Sequence, residues 1–306
     1  MITAAEIKQE ALRIGFAACG IAQACHLPDD AAQLQAWTTR QFHGEMAYME
    51  HYADKRANPQ LLFEGAQSVV VVLLNYAQPR TLNANQPQIA KYAYGADYHF
   101  VVKEKLRKLQ QFIDARATQQ CQICCDSAPV FERRWAERAG LGWIGKSGML
   151  INPDIGSYTL IGELITTLPL ACDAPTQNRC GNCTKCLDAC PTKALVEAHT
   201  LDARHCIAYL TIEKRAPLTD AEKAQCGRQL FGCDACLDAC PWNKKSTPHH
   251  TPELMPPTDF FELDWTKLSS SQFKKRFQHS PLYRAGFKKI KEMADFIVNK
   301  TCQGSK

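Results

Sequence analysis

The stretch CGNCTKCLDACPTKAL, Cys180–Leu195, decides how this chain is read. It sets Cys180, Cys183, Cys186 and Cys190 at spacings of three, three and four, with Pro191 next. The pattern C-x2-C-x2-C-x3-C-P is the spacing that holds a [4Fe–4S] cluster. A structural zinc site needs only two close pairs and has no use for the trailing proline. Sixteen cysteines in 306 residues, in a chain whose N-terminus shows no basic region followed by an apolar core, point to metal rather than disulfides. That reading places the chain in the cytoplasm, where thiols stay reduced.

A second run, FGCDACLDACPWN, supplies Cys233, Cys236, Cys240 and Pro241. Its first ligand is missing, because Leu230 stands three residues before Cys233. In two-cluster ferredoxins the fourth cysteine of each run crosses to the other cluster. Cys180, Cys183, Cys186 and Cys240 then form one set. Cys190, Cys233 and Cys236 form the other and need a fourth thiolate from Cys172, Cys206 or Cys226, a choice that spacing leaves open.

Around these runs the chain changes texture. Residues 1–170 have the patterns of an α/β or α+β domain with its own core. Helical spacing marks ITAAEIKQEALRIGF, Tyr98–Ala117 and Val130–Ala139; strands are expected at Ser68–Tyr76 and Ser157–Leu168. Residues 171–245 are cysteine-rich with short helical pieces, a ferredoxin-like module in which two clusters supply much of the core. Residues 246–306 read as a Pro-rich linker and a basic tail with two short helices. From Asp264 onward there are ten Lys or Arg against three Asp or Glu, a charge of +7; the whole chain carries +5, so the first 263 residues carry −2. Such a tail is either a solvated helix face or a surface for an anionic partner such as nucleic acid. The longest apolar run, from Ser68, is too short to span a bilayer.

The chain resembles the epoxyqueuosine reductases, cobalamin-dependent iron–sulfur enzymes that complete queuosine in tRNA. The resemblance is carried by CCDSAPVFERRWAERAGLGWIGKSGMLINPDIGSYTLIGELITTLPL (residues 124–170), by HCIAYLTIE and by FGCDACLDACPWN, with weaker matches in HGEMAYMEHYADKRANP and YAYGADYHFVV. It implies Cys206 as the missing cluster ligand. It also implies cobalamin between the first domain and the cluster module, along Asp126, Leu150 and Ile161 on one side and Ala208 and Gly232 on the other. The base-off signature D-x-H-x-x-G is only half present, since Asp97-Tyr98-His99 is followed by Phe100 and two valines. His99 is therefore read as a structural or helix-terminal residue.

The same resemblance implies the reaction: the epoxide oxygen of a tRNA wobble nucleotide leaves as water, with two electrons and two protons consumed. Asp126 is implied as proton donor, a role for which burial is expected to raise its pKa. Read without the resemblance, Asp126 is a turn or N-cap residue before Ser-Ala-Pro. The tRNA is expected on Lys214, Arg215, Lys274, Lys275 and Arg276. Many members carry a further C-terminal helical region; this sequence has only the short basic tail, which leaves the mode of tRNA binding open and the chemistry untouched. A low-potential electron donor is implied, and a monomer with no membrane association is expected. Two other readings compete: a reductive dehalogenase-like corrinoid enzyme, and a nucleic-acid-binding protein with structural clusters.

Overall fold

The computed structural model describes residues 2–118 and 120–303. The first half is organised by a four-stranded sheet in the order Ala18–Gln23, Ser68–Asn75, Thr159–Thr166, Cys121–Cys124. Every neighbouring pair is antiparallel, so the mixed α and β content is arranged as α+β. The valine run is the second strand, buried on both faces. Val70, Val72 and Leu74 point into a core shared with Ile7, Leu106 and Leu109 from helices Ala4–Ile14 and Tyr98–Asp114. Val69, Val71 and Leu73 point the other way, onto Trp135 and Ala136 of helix Glu132–Arg138. A strand covered on both faces cannot alternate, which is why the sequence shows an unbroken apolar run.

Two devices fix the helix Tyr98–Asp114 against the sheet. Asp97 caps it, accepting the His99 N–H at 3.0 Å. Gly162 in the third strand lets it approach, since a Cβ there would lie 2.6 Å from Val102 Cγ1. The helix N-terminus, with Tyr98 and His99, is thereby set beside the end of strand Cys121–Cys124.

The cysteine-rich half carries two short helices, Lys185–Asp188 and Ala235–Asp238, one inside each ligand run, packed on one another. Sequence reasoning set residues 246–306 apart as linker and tail. The structure packs Phe260, Trp265, Phe273, Phe277, Leu282, Ile290 and Met293 into one core with Ile207, Leu210, Leu230 and Phe231. Lys274, Lys275 and Lys288 are exposed on helices Ser270–Phe277 and Phe287–Gln303, whose inner faces complete the cluster module, while Lys289 turns inward and donates to the Leu210 and Lys214 carbonyls. The second helix is longer than the short segment expected.

The two halves are joined by polar contacts. The Lys91 N–H donates to Asp234 Oδ2 at 2.8 Å, and its ammonium pairs with Asp238, which also accepts from the Tyr158 hydroxyl. Asn243 Oδ1 accepts the Ser157 N–H at 2.6 Å. No helix among the described residues is long and apolar enough to cross a membrane.

Candidate active site

Asp126 follows the strand Cys121–Cys124 at a sharp turn. Its φ is +56°, in the left-handed region that costs most residues about 1–3 kcal/mol and that Asp and Asn tolerate best. Its backbone N–H donates to Glu132 Oε1 in the first turn of the following helix. The N-cap of that helix is Phe131, not Asp126. The side chain is left free of local structure and turns toward the helix Tyr98–Asp114.

There it meets His99. Asp126 Oδ2 lies 2.8 Å from His99 Nε2, and His99 Nδ1 lies 2.6 Å from Asp97 Oδ1. Tyr98 stacks on the imidazole with centroids 4.2 Å apart. Burial pushes the His99 pKa down, but hydrogen bonds and charge from Asp126 and Asp97 outweigh it and raise it to about 9. Burial likewise pushes Asp126 up. His99, the Tyr98 side chain and the charge of Arg284 outweigh that and hold it below the usual carboxylate value. The expected upward shift of Asp126 is therefore corrected: the counter-charge supplied by His99 wins over desolvation.

The Asp126 side chain is 47% exposed, yet protein surrounds it closely enough for burial to be the largest single influence on it. Asp126 thus stands at the protein surface with dense packing on one side. Beside it is Glu132, which accepts the Asp126 N–H and which burial and the charge of Asp126 push up to about 7. Behind it Glu163 is wholly buried, and burial together with the charges of Glu132 and Asp126 pushes its pKa far above the usual value. Neither oxygen of Glu163 has a hydrogen-bond partner among the described residues, nor does the buried Nε of Arg56. Arg284, brought in from the C-terminal segment, pairs with Glu213 at 2.8 Å. Sequence reasoning missed Glu132, Glu163, Arg56 and Arg284. The signal available for the first two was a charged residue within apolar text: Glu163 lies in TLIGELIT and Glu132 follows Val-Phe.

The cysteines separate into two neighbourhoods. Apart from burial and local backbone N–H groups, the charges acting on Cys186 are those of Cys180 and Cys240, and those acting on Cys240 are Cys180 and Cys183. On Cys236 they include Cys233, Cys206 and Cys190. Cys206 feels Cys190. Backbone N–H groups point at several of these sulfurs: Ala208 and Tyr209 at Cys206, and Leu195, Thr192 and Ala194 at Cys190. The Trp143 indole N–H donates to Cys180 Sγ at 3.4 Å. Cys226, at the end of helix Asp220–Cys226, is near Cys233 and Cys206, and burial pushes it up to about 12, as it does Cys236.

The remaining expected site residues fall in different places. Ile161 is half-buried, and its carbonyl faces the Cys125 thiol at 3.5 Å. Leu150 is 2% exposed, in the core beneath helix Glu132–Arg138. Thr211 links Gly232 to the turn of Ala208: its hydroxyl accepts the Gly232 N–H at 2.9 Å and lies 2.7 Å from the Ile207 carbonyl and 3.4 Å from that of Ala208. Gly232 has a φ of +69°, and a Cβ there would lie 2.5 Å from Ala90 Cβ, so the close approach its glycine permits is first that of Ala90. Among the basic residues, Lys214 is committed to Glu222 and Arg276 to Asp259. Arg215, Lys274 and Lys275 are exposed.

A family model described as epoxyqueuosine reductase QueG, DUF1730, matches residues 56–127, which include Asp97, His99 and Asp126. A 4Fe-4S double cluster binding domain matches residues 179–243. The epoxyqueuosine reductase of Cyclobacterium marinum is 41% identical over 96% of both chains, and that of Escherichia coli K12 is 37% identical over 90% of this chain and 77% of its own. This chain belongs to the epoxyqueuosine reductase family. A crystal structure of an epoxyqueuosine reductase with a tRNA-Tyr epoxyqueuosine-modified stem loop superposes with a TM-score of 0.88 at 32% identity, covering 96% of this chain and 80% of the other. The Streptococcus thermophilus epoxyqueuosine reductase gives 0.87 at 26%, covering 98% and 82%.

Proposed function

We propose that this chain reduces epoxyqueuosine to queuosine at the wobble position of tRNA, with Asp126 delivering the proton to the epoxide oxygen. The observation that carries this reading is the partly exposed Asp126–His99 pair. At neutral pH the pair holds one mobile proton, resting on His99 and hydrogen-bonded to a carboxylate that faces solvent. As the epoxide C–O bond breaks, charge develops on the leaving oxygen. The His99 proton passes to Asp126 across 2.8 Å and from Asp126 to the leaving oxygen, which leaves His99 neutral and Asp126 ionised. General acid assistance of this kind is worth roughly 10² to 10⁴ in rate.

Among the described residues no three His, Cys, Asp or Glu side chains are close enough together to hold a single metal ion, so the ligation of two [4Fe–4S] clusters is proposed from the ligand spacing and the matched double cluster domain. Cys180, Cys183, Cys186 and Cys240 would hold one, and Cys190, Cys206, Cys233 and Cys236 the other. The N–H groups directed at Cys190 and Cys206 are the donors that thiolate sulfurs bound to iron accept. Cobalamin is proposed beside Asp126, on the strength of the family's resemblance and the half-buried Ile161 next to it. Asp126, Leu150, Ile161, Ala208 and Gly232 are the proposed contacts. When bound, the corrin would supply the electron pair for the reduction, and the clusters would supply it from a low-potential donor. This chain's own part is to seat the nucleotide, exclude water and hold the proton on the His99–Asp126 pair.

Arg215, Lys274 and Lys275 are proposed for tRNA phosphates; Lys214 and Arg276, already paired, serve the fold that presents them. We place the protein in the cytoplasm as a monomer. The test is anaerobic purification with corrinoid and iron assays, followed by single-turnover conversion of epoxyqueuosine tRNA with excess chemical reductant. A nucleic-acid-binding protein with structural clusters would bind tRNA and hold iron but no corrinoid, and would convert nothing. A dehalogenase-like enzyme would bind the corrinoid and leave the epoxide intact.

A further inference from the structure

Resting on the proposed ligation of two clusters, we infer that the rim around Cys180, Cys183 and Cys186 is the docking face for an acidic, low-potential one-electron carrier. Two features single out this rim. First, the set of Cys180 is the outer one. Asn178, Arg179, Gly181, Asn182, Thr184 and Lys185 are all exposed around its ligands, and a side chain added at Gly181 would meet nothing within 4 Å. The other set lies toward Asp126: Phe231, two residues before Cys233, packs on Tyr92 at 6.2 Å. Tyr92 packs on Tyr98 at 5.8 Å, and Tyr98 stacks on His99 beside Asp126. Electrons bound for the Asp126 site therefore enter at the Cys180 side and move inward.

Second, the rim has the charge such a carrier needs. Between residues 178 and 193 Arg179, Lys185 and Lys193 face a single acid, Asp188, and all four are exposed. The exposed Lys244 follows Cys240 closely. Arg179 lies over the Trp143 ring at 6.0 Å, the indole whose N–H reaches Cys180 Sγ, so a partner at this cation is one aromatic ring from the sulfur. Opposed charge speeds docking by roughly 10 to 10³. The transfer balances as one electron leaving the carrier for the cluster, twice per epoxide reduced.

The test uses the iron-loaded protein without tRNA and photoreduced plant-type [2Fe–2S] ferredoxin as the probe. Binding of the oxidised ferredoxin and bleaching of cluster absorbance by the reduced form are both measured. Arg179→Glu with Lys185→Glu should weaken the Kd and lower the second-order reduction rate at least tenfold, and should flatten its dependence on salt. Reduction by dithionite should be unchanged. Lys193→Glu with Lys244→Glu, lying outside the ligand loop, should act in the same direction and covers the case where the first variant loses iron. Unchanged ferredoxin kinetics in both variants would overturn the proposal. So would a comparable loss in Arg204→Glu, next to Cys206, because it would move the entry point to the other set. The readout is independent of the reductase reading: a wild type that ferredoxin reduces but that leaves epoxyqueuosine intact would refute that reading and keep the docking face.

Discussion

His99 Nε2 lies 2.8 Å from Asp126 Oδ2, and its other ring nitrogen lies 2.6 Å from Asp97. An imidazole held between two carboxylates keeps its proton well past neutrality. It also keeps its neighbour ionised until that proton is passed on.

Asp126→Asn should keep the fold, the iron and the corrinoid, because Asn is nearly isosteric and accepts a φ of +56°. Single-turnover conversion should fall by about 10² or more. Near wild-type conversion would remove Asp126 from the chemistry and leave it as a turn residue.

The pH profile tests His99. Its folded pKa is raised to about 9, so the shared proton is present below that value and lost as pH rises through it. Conversion should decline on an alkaline limb near pH 9. In His99→Gln the limb should move to lower pH, since Asp126 then holds a proton only at its own pKa. An unmoved limb would show that another group sets it. The stability supplied by the raised pKa follows the same sign: complete below the unfolded histidine value, lost as pH rises through about 9.

Cluster ligation is tested by iron content. The wild type should hold about eight iron atoms and Cys206→Ala about four, whereas Cys226→Ala should keep all. The reverse result would hand the fourth position to Cys226, which lies near Cys233 and Cys206.

Glu163 should behave as a neutral acid in the corrinoid-free protein. Its folded pKa is raised, so the native state binds the proton more tightly than the unfolded state. Stability should then fall as pH rises above the unfolded carboxyl value. Glu163→Gln should flatten the decline of Tm as pH rises above the unfolded carboxyl value. An equal slope in the variant would mean that Glu163 is ionised in the fold.

Salt dependence tests the tRNA surface. Replacing Arg215, Lys274 and Lys275 by Ala should reduce the log–log slope of tRNA affinity by roughly 0.7–0.9 for each phosphate no longer neutralised. Arg276→Ala should leave the slope alone, because Arg276 is engaged with Asp259. A slope that follows Arg276 instead would reverse this assignment.

Much of this was legible in the chain. Ligand spacing is local, so two runs of Cys-x2-Cys text announced the cluster module. The apolar run from Ser68 announced a buried strand, and helical spacing marked the helices Ala4–Ile14 and Tyr98–Asp114. What the sequence could not convey was how distant segments answer one another. Asp97, His99 and Asp126 meet only because Gly162 admits a helix onto the sheet, and that meeting reverses the pKa shift that burial alone implies. The aromatic residues of 260–287 read as a tail because their partners, Leu230 and Phe231, come from another segment. Spacing and composition are written along the chain and determine local chemistry. Counter-charge and shared cores depend on distances in space, and only the tertiary structure decides those.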